Sequence, residues 1–468
     1  MDSSFTSVSY WSSKIGTTEP ALRLLLTVLY GYPLALLFRK CVFNKAPIAQ
    51  HLYFITTGLI LGYWNYGSDI CHCIYSTIFT YFTLVILKGT LYSVVITFVF
   101  NLGYLIIGYF YWSTVSYDIN WTMPHCILTL KLIGVAFDLY DGHQPVESLS
   151  ADSKKLALVH PPNIFELFGF VFFPAAFLIG PQFSMKRYLE FIGGHYNNGD
   201  EPPNSVPAAV RKLLFGLFYL AVFQLLGFFV TDDYLISDAF GNLPFYRKMI
   251  LLGMWGRFTL YKYISCWLLT EGACILFGLS QNGKDERGET RWDGLENVKL
   301  HIFENTTEFN HYIKSFNVNT NNWIAQYVYK RLKFLGDRQL SQIFSLLFLA
   351  VWHGVHSGYY MCFFFEFVVM YMERDIKSIV KSDVYLKSFF ASPKIQLPLQ
   401  IVLRMYTFVF MGWCVIPLVF LQYPRYFPVY ANCNYVGAIL FLLWPVVYAP
   451  LVRFLLKKYG KRNTEKAQ

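Results

Sequence analysis

The segment from Gly89 to Tyr117, GTLYSVVITFVFNLGYLIIGYFYWSTVSY, decides the fold class of this chain. It contains no Asp, Glu, Lys or Arg, and it exceeds the roughly 20 apolar residues that an α-helix needs to cross a bilayer. A backbone in the bilayer core has no water to bond, so it must satisfy its own hydrogen bonds. We therefore predict a transmembrane helix here.

The rest of the chain extends this prediction to a whole membrane protein. Hydrophobic residues make up 55% of the 468 residues and charged residues only 15%, whereas soluble domains carry charge on about a quarter of their residues. Further candidate spans are residues 21–38, 46–68, 70–87, 164–183, 213–230, 249–277, 343–369, 397–421 and 435–456. We predict an all-α, multi-pass integral membrane protein with ten to twelve passes, forming one domain over residues 1–468.

Basic residues predict the orientation of the chain ends. Arg39 and Lys45 follow the first apolar segment, and a basic tail follows the last one at 457–468. By the positive-inside rule both flanks face the cytosol, which places Met1 in the lumen and Gln468 in the cytosol. These flanks also explain most of the net charge of +10, so we expect no nucleic-acid partner.

Cysteine usage predicts no metal site. The nine cysteines are scattered, and only Cys71-His72-Cys73 has a spacing that could hold a metal. No second ligand pair follows at a useful distance, and a structural zinc site needs four ligands. Reduced thiols are the simpler interpretation.

Trp352-His353-Gly354 is the most informative candidate site. It puts an imidazole inside an apolar segment, residues 343–369, and from residue 341 to residue 365 there is no Asp, Glu, Lys or Arg and only one other His, His356. Ionisable side chains at membrane depth usually line a cavity and have a function there. Alternatively, a His beside a small residue hydrogen-bonds a neighbouring helix in a tight contact.

The longest polar stretch lies at about 280–340. It begins with a charged loop, 281–299, and ends in a segment, 324–335, where aromatic and basic residues alternate. Such a segment fits an interfacial helix with its cations facing lipid headgroups or a phosphorylated substrate. A solvated loop followed by a helix with snorkelling side chains fits equally well.

Two motifs together give a resemblance to a known family. Asn317 is followed by Trp323 six residues later, and by Trp352-His353-Gly354, with 353 − 317 = 36 residues between the Asn and the His. This pattern resembles the membrane-bound O-acyltransferase family. The segments FDLYDG at 137–142, GPQFSM at 180–185, RLKFLG at 331–336 and WHGVHSGY at 352–359 are similar to its lysophospholipid-acylating branch. Phe316, where relatives with other acceptors have Trp, agrees with that branch.

The resemblance implies a fold and an activity. The fold is a bundle of about eleven transmembrane helices around a central tunnel. The activity is transfer of a polyunsaturated fatty acyl group from acyl-CoA to the sn-2 hydroxyl of lysophosphatidylcholine and related lysophospholipids, for phospholipid remodelling in the endoplasmic reticulum membrane. Acyl-CoA is then a co-substrate, no cofactor is needed, the partners are the two substrates and membrane lipids, and a homodimer is left open. The alternatives are a sterol, diacylglycerol or protein as acceptor, or a membrane transporter.

The resemblance also assigns residues. It makes His353 the general base, since an alcohol is a poor nucleophile and a neutral imidazole can accept its proton. Asn317 either orients the acceptor or donates to the developing oxyanion. His356, three residues after His353, is expected on the same helix face, and the Gly180-Pro181 step is expected to bend the chain beside the cavity. The predicted substrate contacts are Trp352, His356, Gln182 and Trp323.

Overall fold

The computed structural model describes residues 7–114, 119–197, 199 and 201–466, with side chains up to residue 458. In this part of the chain there is no β-strand, only two isolated bridges, so the all-α fold is confirmed. Met1 and Gln468, whose sides of the membrane the basic residues predict, lie outside the described residues. So do residues 115–118, at the end of the opening segment, and the side chains of most of the basic tail.

The described residues form 23 α-helices, joined by loops and by short 3₁₀ and π turns. They are α1 (Val8–Ile15), α2 (Glu19–Cys41), α3 (Pro47–Tyr66), α4 (Cys71–Leu87), α5 (Leu91–Trp112), α6 (Thr122–Gly142), α7 (Ala151–Leu156), α8 (Ile164–Val171), α9 (Met185–Ile192), α10 (Val206–Gly227), α11 (Asp232–Ile236), α12 (Asp238–Gly241), α13 (Phe245–Phe277), α14 (Leu300–Glu304), α15 (Phe309–Ser315), α16 (Val318–Ile324), α17 (Arg338–His353), α18 (Ser357–Ser382), α19 (Val384–Ala391), α20 (Pro393–Phe420), α21 (Tyr423–Asn432), α22 (Val436–Leu442) and α23 (Ala449–Lys466).

Helix α13 runs through the centre of the bundle and packs against α10, α20 and α2. Its 33 residues give it a length of about 50 Å at 1.5 Å per residue. It crosses α20 at very short range, because a Cβ added to Gly256 would lie 2.2 Å from the Cα of Gly412. In a membrane such small residues let two backbones approach closely and gain dispersion contacts.

Three hydrophobic clusters surround the interior. The first joins α2, α3, α4, α6, α8 and α9 with the end of α13. The second joins α13, α18, α20 and α21, and the third joins α5, α6, α16 and α17. Helix α6 takes part in two of them. In its most apolar stretch of 18 residues 83% of the residues are buried, against 17% in the corresponding stretch of α10. Helix α6 is thus a core helix, whereas α10 exposes most of its apolar surface, as a lipid-facing helix does.

The chain between α8 and α9, residues 172–184, is buried yet not helical. The Gly180–Pro181 peptide bond in it is cis. A helical membrane span over 164–183 is therefore wrong, since α8 covers only its first eight residues. Irregular backbone at membrane depth is tolerated where protein surrounds it and satisfies its polar groups. Within the segment the N–H of Ala176 donates to the carbonyl of Phe173 at 3.0 Å, and at the end of α8, just before it, the Nζ of Lys131 donates to the carbonyl of Phe170 at 2.8 Å.

Most of the other predicted spans match helices. Among the described residues, six helices or continuous helix pairs are long and apolar enough to cross a membrane, and a bent pair within 436–458 would make a seventh. A multi-pass membrane protein is confirmed. The long helix α13, which carries several charged residues, is not among these six. The count of about eleven spans stays a prediction.

The apolar segment 343–369 consists of parts of two helices. Helix α17 ends at His353, and α18 begins at Ser357. Gly354 separates them with φ 147° and ψ −172°, a conformation that favours glycine. A Cβ at Gly354 would also lie 2.8 Å from Cε2 of Tyr359. His353 and His356 therefore do not share one helix face, and that prediction is wrong because the helix stops between them.

Candidate active site

A cavity of about 780 Å³ lies in the interior, lined by residues from all three clusters. Its wall is mostly aliphatic and aromatic. The few polar side chains in it include Gln182, Gln224, Asn297, Asn317, Thr320, Asn321, His353 and Glu366. Small-molecule sites typically have a volume of about 300–1,000 Å³ and an apolar wall with a few polar groups, which is the character of this cavity.

His353 reaches the cavity from the last position of α17. Its ring lies among aromatic side chains, with the ring centroid 5.5 Å from that of Tyr359 and 5.3 Å from that of Phe363. No described residue forms a hydrogen bond or ion pair with its ring nitrogens. The imidazole thus lines the cavity with no protein partner on its nitrogens among the described residues.

The neighbouring Trp352 anchors this end of α17. Its indole Nε1 donates to the carbonyl of Cys126 on α6 at 2.9 Å, and its own carbonyl accepts from the hydroxyl of Tyr109 on α5 at 2.8 Å. Trp352 is buried and lines the cavity. The three residues of the motif therefore contribute differently, because Trp352 anchors the helix, His353 enters the cavity and Gly354 ends the helix.

Asn317 reaches the same cavity from the polar region. It precedes α16 with φ 50° and ψ 45°, the left-handed conformation that Asn adopts more readily than most residues. Its side-chain oxygen accepts a hydrogen bond from the Nδ2 of Asn297 at 3.3 Å. The structure thus brings together the Asn and the His that the sequence motif separates by 36 residues.

Of the predicted substrate contacts, Gln182 and Trp352 line this cavity. Gln182 belongs to the irregular segment 172–184 and donates from Nε2 to the carbonyl of Ile127 at 2.8 Å. Gly180 and Pro181 also line the cavity, so the bend expected there does lie beside it.

Trp323 and His356 do not line this cavity. Trp323 lies in the wall of a second cavity of about 220 Å³, whose wall shares Gln182 with the first, and its ring packs on Tyr327 and Phe348. His356 precedes α18, with its ring centroid 6.3 Å from that of Tyr359. Neither residue therefore borders the main cavity, and their contact with a substrate stays a prediction.

Glu366 and Asn297 are among the polar residues of the cavity wall that the sequence interpretation missed. Glu366 lies on α18 just beyond the apolar stretch around His353, and the rule that singled out His353 applies equally to it. Asn297 lies at the end of the charged loop 281–299, where polar residues are ordinary, and no pattern in the sequence marks it.

Two positively charged residues of the segment 324–335 are held within the protein. Arg331 forms a bidentate pair with the buried Asp141, at 2.8 and 2.6 Å, and Lys330 pairs with Asp152 at 2.5 Å. The Lys330 ammonium lowers the pKa of the Asp152 carboxyl through a hydrogen bond and its charge. Lys333 remains exposed. Arg331 and Lys330 thus tie this segment to α6 and α7, instead of being free for a phosphate.

Comparison with known proteins identifies the family. The profile of MBOAT, the membrane-bound O-acyltransferase family, matches residues 106–416, more than half of the chain, and this range contains both Asn317 and His353. The chain belongs to the membrane-bound O-acyltransferase family. It is an acyltransferase, and the resemblance seen in its motifs is confirmed.

Individual relatives match almost the whole length of this membrane-bound O-acyltransferase. Lysophospholipid acyltransferase 5 of Mus musculus is 41% identical over 437 residues, which are 93% of this chain and 90% of the relative. The Drosophila melanogaster protein of the same name is 43% identical over 452 residues, or 93% and 88% of the two chains. The lysophospholipid acyltransferase of Schizosaccharomyces pombe is 29% identical over 408 residues, or 83% and 77%.

The cavity wall carries two groups whose chemistry suits ester formation. Attack by an alcohol requires an acceptor for the hydroxyl proton, which a neutral imidazole provides. The carbonyl oxygen gains negative charge in the transition state, and an amide donor stabilises it best where water is excluded. His353 and Asn317 border one cavity with a mostly apolar wall, so the arrangement can support acyl transfer to an alcohol.

Proposed function

We propose that this enzyme transfers a fatty acyl group from acyl-CoA to the free sn-2 hydroxyl of lysophosphatidylcholine and related one-chain phospholipids. The observation that carries the proposal is that the Mus musculus and Drosophila melanogaster relatives, each covering 93% of this chain, are named for acylation of lysophospholipids. The apolar cavity agrees with it, because both substrates carry long hydrocarbon chains whose burial is favourable.

In the proposed reaction His353 acts as the general base. Its neutral ring accepts the hydroxyl proton of the lysophospholipid while the hydroxyl oxygen attacks the thioester carbonyl of acyl-CoA. The tetrahedral intermediate collapses, the carbon–sulfur bond breaks, and the coenzyme A thiolate leaves. The imidazolium returns the proton to that sulfur, so His353 ends the cycle neutral.

Asn317 is the second catalytic group of the proposal. A carboxamide cannot take a proton from an alcohol at ordinary pH, but it can orient the acceptor hydroxyl or donate to the oxygen of the tetrahedral intermediate. Trp352 and Gln182 complete the wall near the reacting atoms.

The remaining parts of the proposal follow the relatives' branch of the family. We expect polyunsaturated acyl donors to be preferred, the enzyme to reside in the endoplasmic reticulum membrane, and its products to serve phospholipid remodelling. A homodimer stays a prediction.

An assay on the purified full-length protein in lipid nanodiscs tests the proposal. Lysophosphatidylcholine, other lysophospholipids, cholesterol and diacylglycerol are each combined with saturated and polyunsaturated acyl-CoA, and ester product and free thiol are measured together. We expect one thiol per ester and the highest rate with a lysophospholipid. A sterol or diacylglycerol as the best acceptor would contradict the choice of substrate, and absence of transfer with every pair would contradict the function itself.

A further inference from the structure

Asn297 lies behind Asn317 and is almost completely buried, with 1% of its surface exposed. It belongs to the stretch between the charged loop and α14, and its backbone carbonyl accepts from the N–H of Val318 at 3.0 Å. Both ends of its side-chain amide are also used. Its Oδ1 accepts from the backbone N–H of Asn319 at 3.0 Å, and its Nδ2 donates to the Oδ1 of Asn317 at 3.3 Å.

These partners determine how the two amides are turned. A backbone N–H can only donate, so the Asn297 atom facing the N–H of Asn319 must be the oxygen. The NH₂ of Asn297 therefore faces Asn317. Because that NH₂ can only donate, the Asn317 atom it meets must also be an oxygen. The NH₂ of Asn317 therefore points away from Asn297.

Asn297 is itself held firmly from α13. The buried carboxylate of Glu271 accepts from the backbone N–H of Asn297 at 2.7 Å and from that of Val298 at 3.0 Å. Its second oxygen accepts from the ammonium of Lys212 on α10 at 2.7 Å. Hydrogen bonds to a charged group are shorter and stronger than neutral ones. The stretch that carries Asn297 is thus fixed to the central helix.

The NH₂ of Asn317 is open to the cavity. Asn317 lines the cavity. No described residue accepts a hydrogen bond from its Nδ2, and this nitrogen is not fully buried. A donor aimed into a mostly apolar cavity is suited to an oxygen that gains negative charge.

We propose that Asn297 is a positioning residue, which turns the amide of Asn317 so that its NH₂ faces the reacting atoms. On the proposed acyl-transfer function, Asn317 then donates to the oxygen of the tetrahedral intermediate and does not accept from the acceptor hydroxyl. Asn297 acts only through Asn317 and does not touch the substrates.

Asn317→Asp tests the donor role. The carboxylate of this variant still accepts from Asn297 but has no NH₂ to offer the intermediate. We expect kcat to fall about a hundred- to a thousand-fold, the loss seen when one oxyanion donor is removed, with each KM within about threefold of wild type. Asn322→Asp, which adds the same charge at an exposed position of α16, the helix that follows Asn317, should retain wild-type kcat. If Asn317→Asp keeps more than about a third of kcat, Asn317 is not a donor and the proposal fails.

A double-mutant cycle tests the positioning role. Asn297→Ala should lower kcat by about tenfold in the wild type, since one neutral hydrogen bond is worth up to about that factor. In the Asn317→Asp background it should change kcat by less than about twofold, because no NH₂ remains to be turned. An equal loss in both backgrounds would show that Asn297 acts independently of Asn317 and would overturn the proposal.

Two further measurements keep these outcomes interpretable. Thermal unfolding of each variant in nanodiscs separates loss of folding from loss of kcat. If Asn297→Ala does not fold, Asn297→Ser, which is neutral and too short to reach Asn317, replaces it in both backgrounds. If the wild type transfers no acyl group, the proposed function fails. If the wild type is active and the variants do not behave as described, only the positioning inference fails.

Discussion

His353 and Asn317 reach the same cavity from two different kinds of structure. His353 ends a helix, and its place follows from a glycine break and from the anchoring of Trp352 on α5 and α6. Asn317 lies at a turn in the polar region, and its place follows from hydrogen bonds to Asn297, which Glu271 holds to α13. A short helix motif thus positions the first residue, whereas a network distant in sequence positions the second.

Apart from the replacement of His353 itself, the largest expected effect concerns Asn317. Asn317→Ala removes the proposed hydrogen bond to the developing charge, and we expect kcat to fall about a hundred- to a thousand-fold, or about 2.7–4 kcal/mol of barrier. Asn322→Ala, measured in the same acyl-transfer assay, should change kcat by less than about twofold. The reverse result would mean that the catalytic Asn of this region has been misassigned.

The next effect tests the helix break beside His353. Gly354→Ala places a Cβ 2.8 Å from Tyr359 and strains a backbone with φ 147°. We expect kcat to fall about a hundredfold, because a displacement of about 1 Å at a reacting group costs that much. Gly336→Ala is the matched control, since Gly336 also has positive φ but no atom within 4 Å of an added Cβ. Equal kcat losses in the two variants would show that the break does not position His353.

A smaller effect is expected where the polar region joins α13. Glu271→Gln keeps an oxygen for the backbone N–H groups but turns an NH₂ towards the Lys212 ammonium. We expect about 1–3 kcal/mol lower stability, from the loss of a charged acceptor, and about tenfold lower kcat. Glu296→Gln changes a longer contact of 3.5 Å with the same Lys212, and it should lower stability and kcat much less. Thermal unfolding and kcat are measured on the same protein. A fall in stability without a fall in kcat would contradict the role of this network in positioning the site.

The smallest effect concerns the anchor of the motif. Trp352→Phe removes the hydrogen bond to Cys126 and keeps the ring in the cavity wall. We expect kcat to fall about twofold to tenfold, the kinetic equivalent of one neutral hydrogen bond. Trp323→Phe is its control, because the Nε1 of Trp323 has no hydrogen-bond partner in the described structure. A larger loss of kcat in Trp323→Phe than in Trp352→Phe would indicate that Trp323 contacts the substrate.

The helices could be predicted well from the sequence wherever the membrane permits only a helical backbone. Charge-free stretches such as 70–87 must be helical in a membrane, and α4 covers nearly the same residues. Residues 164–183 are also apolar, but an apolar stretch that is surrounded by protein need not be helical. Only the contacts of that stretch with α6, such as the bond from Lys131, show how its backbone polar groups are satisfied.

The site was predictable in the same uneven way. His353 and Asn317 carry a motif of fixed spacing, and both lie in the cavity wall. Asn297 is an ordinary polar residue of a loop, and its importance depends on a contact with a residue 20 positions away. The positions of His356 and Trp323 could not be read from spacing, because the helix ends at Gly354 and Trp323 turns to a second cavity.

The kcat of His353→Ala in purified, folded protein tests the central claim most directly. That claim is that acyl transfer occurs in this cavity with His353 as the base. We predict a loss of about a hundred- to ten-thousand-fold, the contribution of a general base, with the melting temperature unchanged. His356→Ala, which alters an imidazole outside the cavity, should stay within about threefold of wild type. Retention of more than about a tenth of wild-type kcat by His353→Ala would contradict the account.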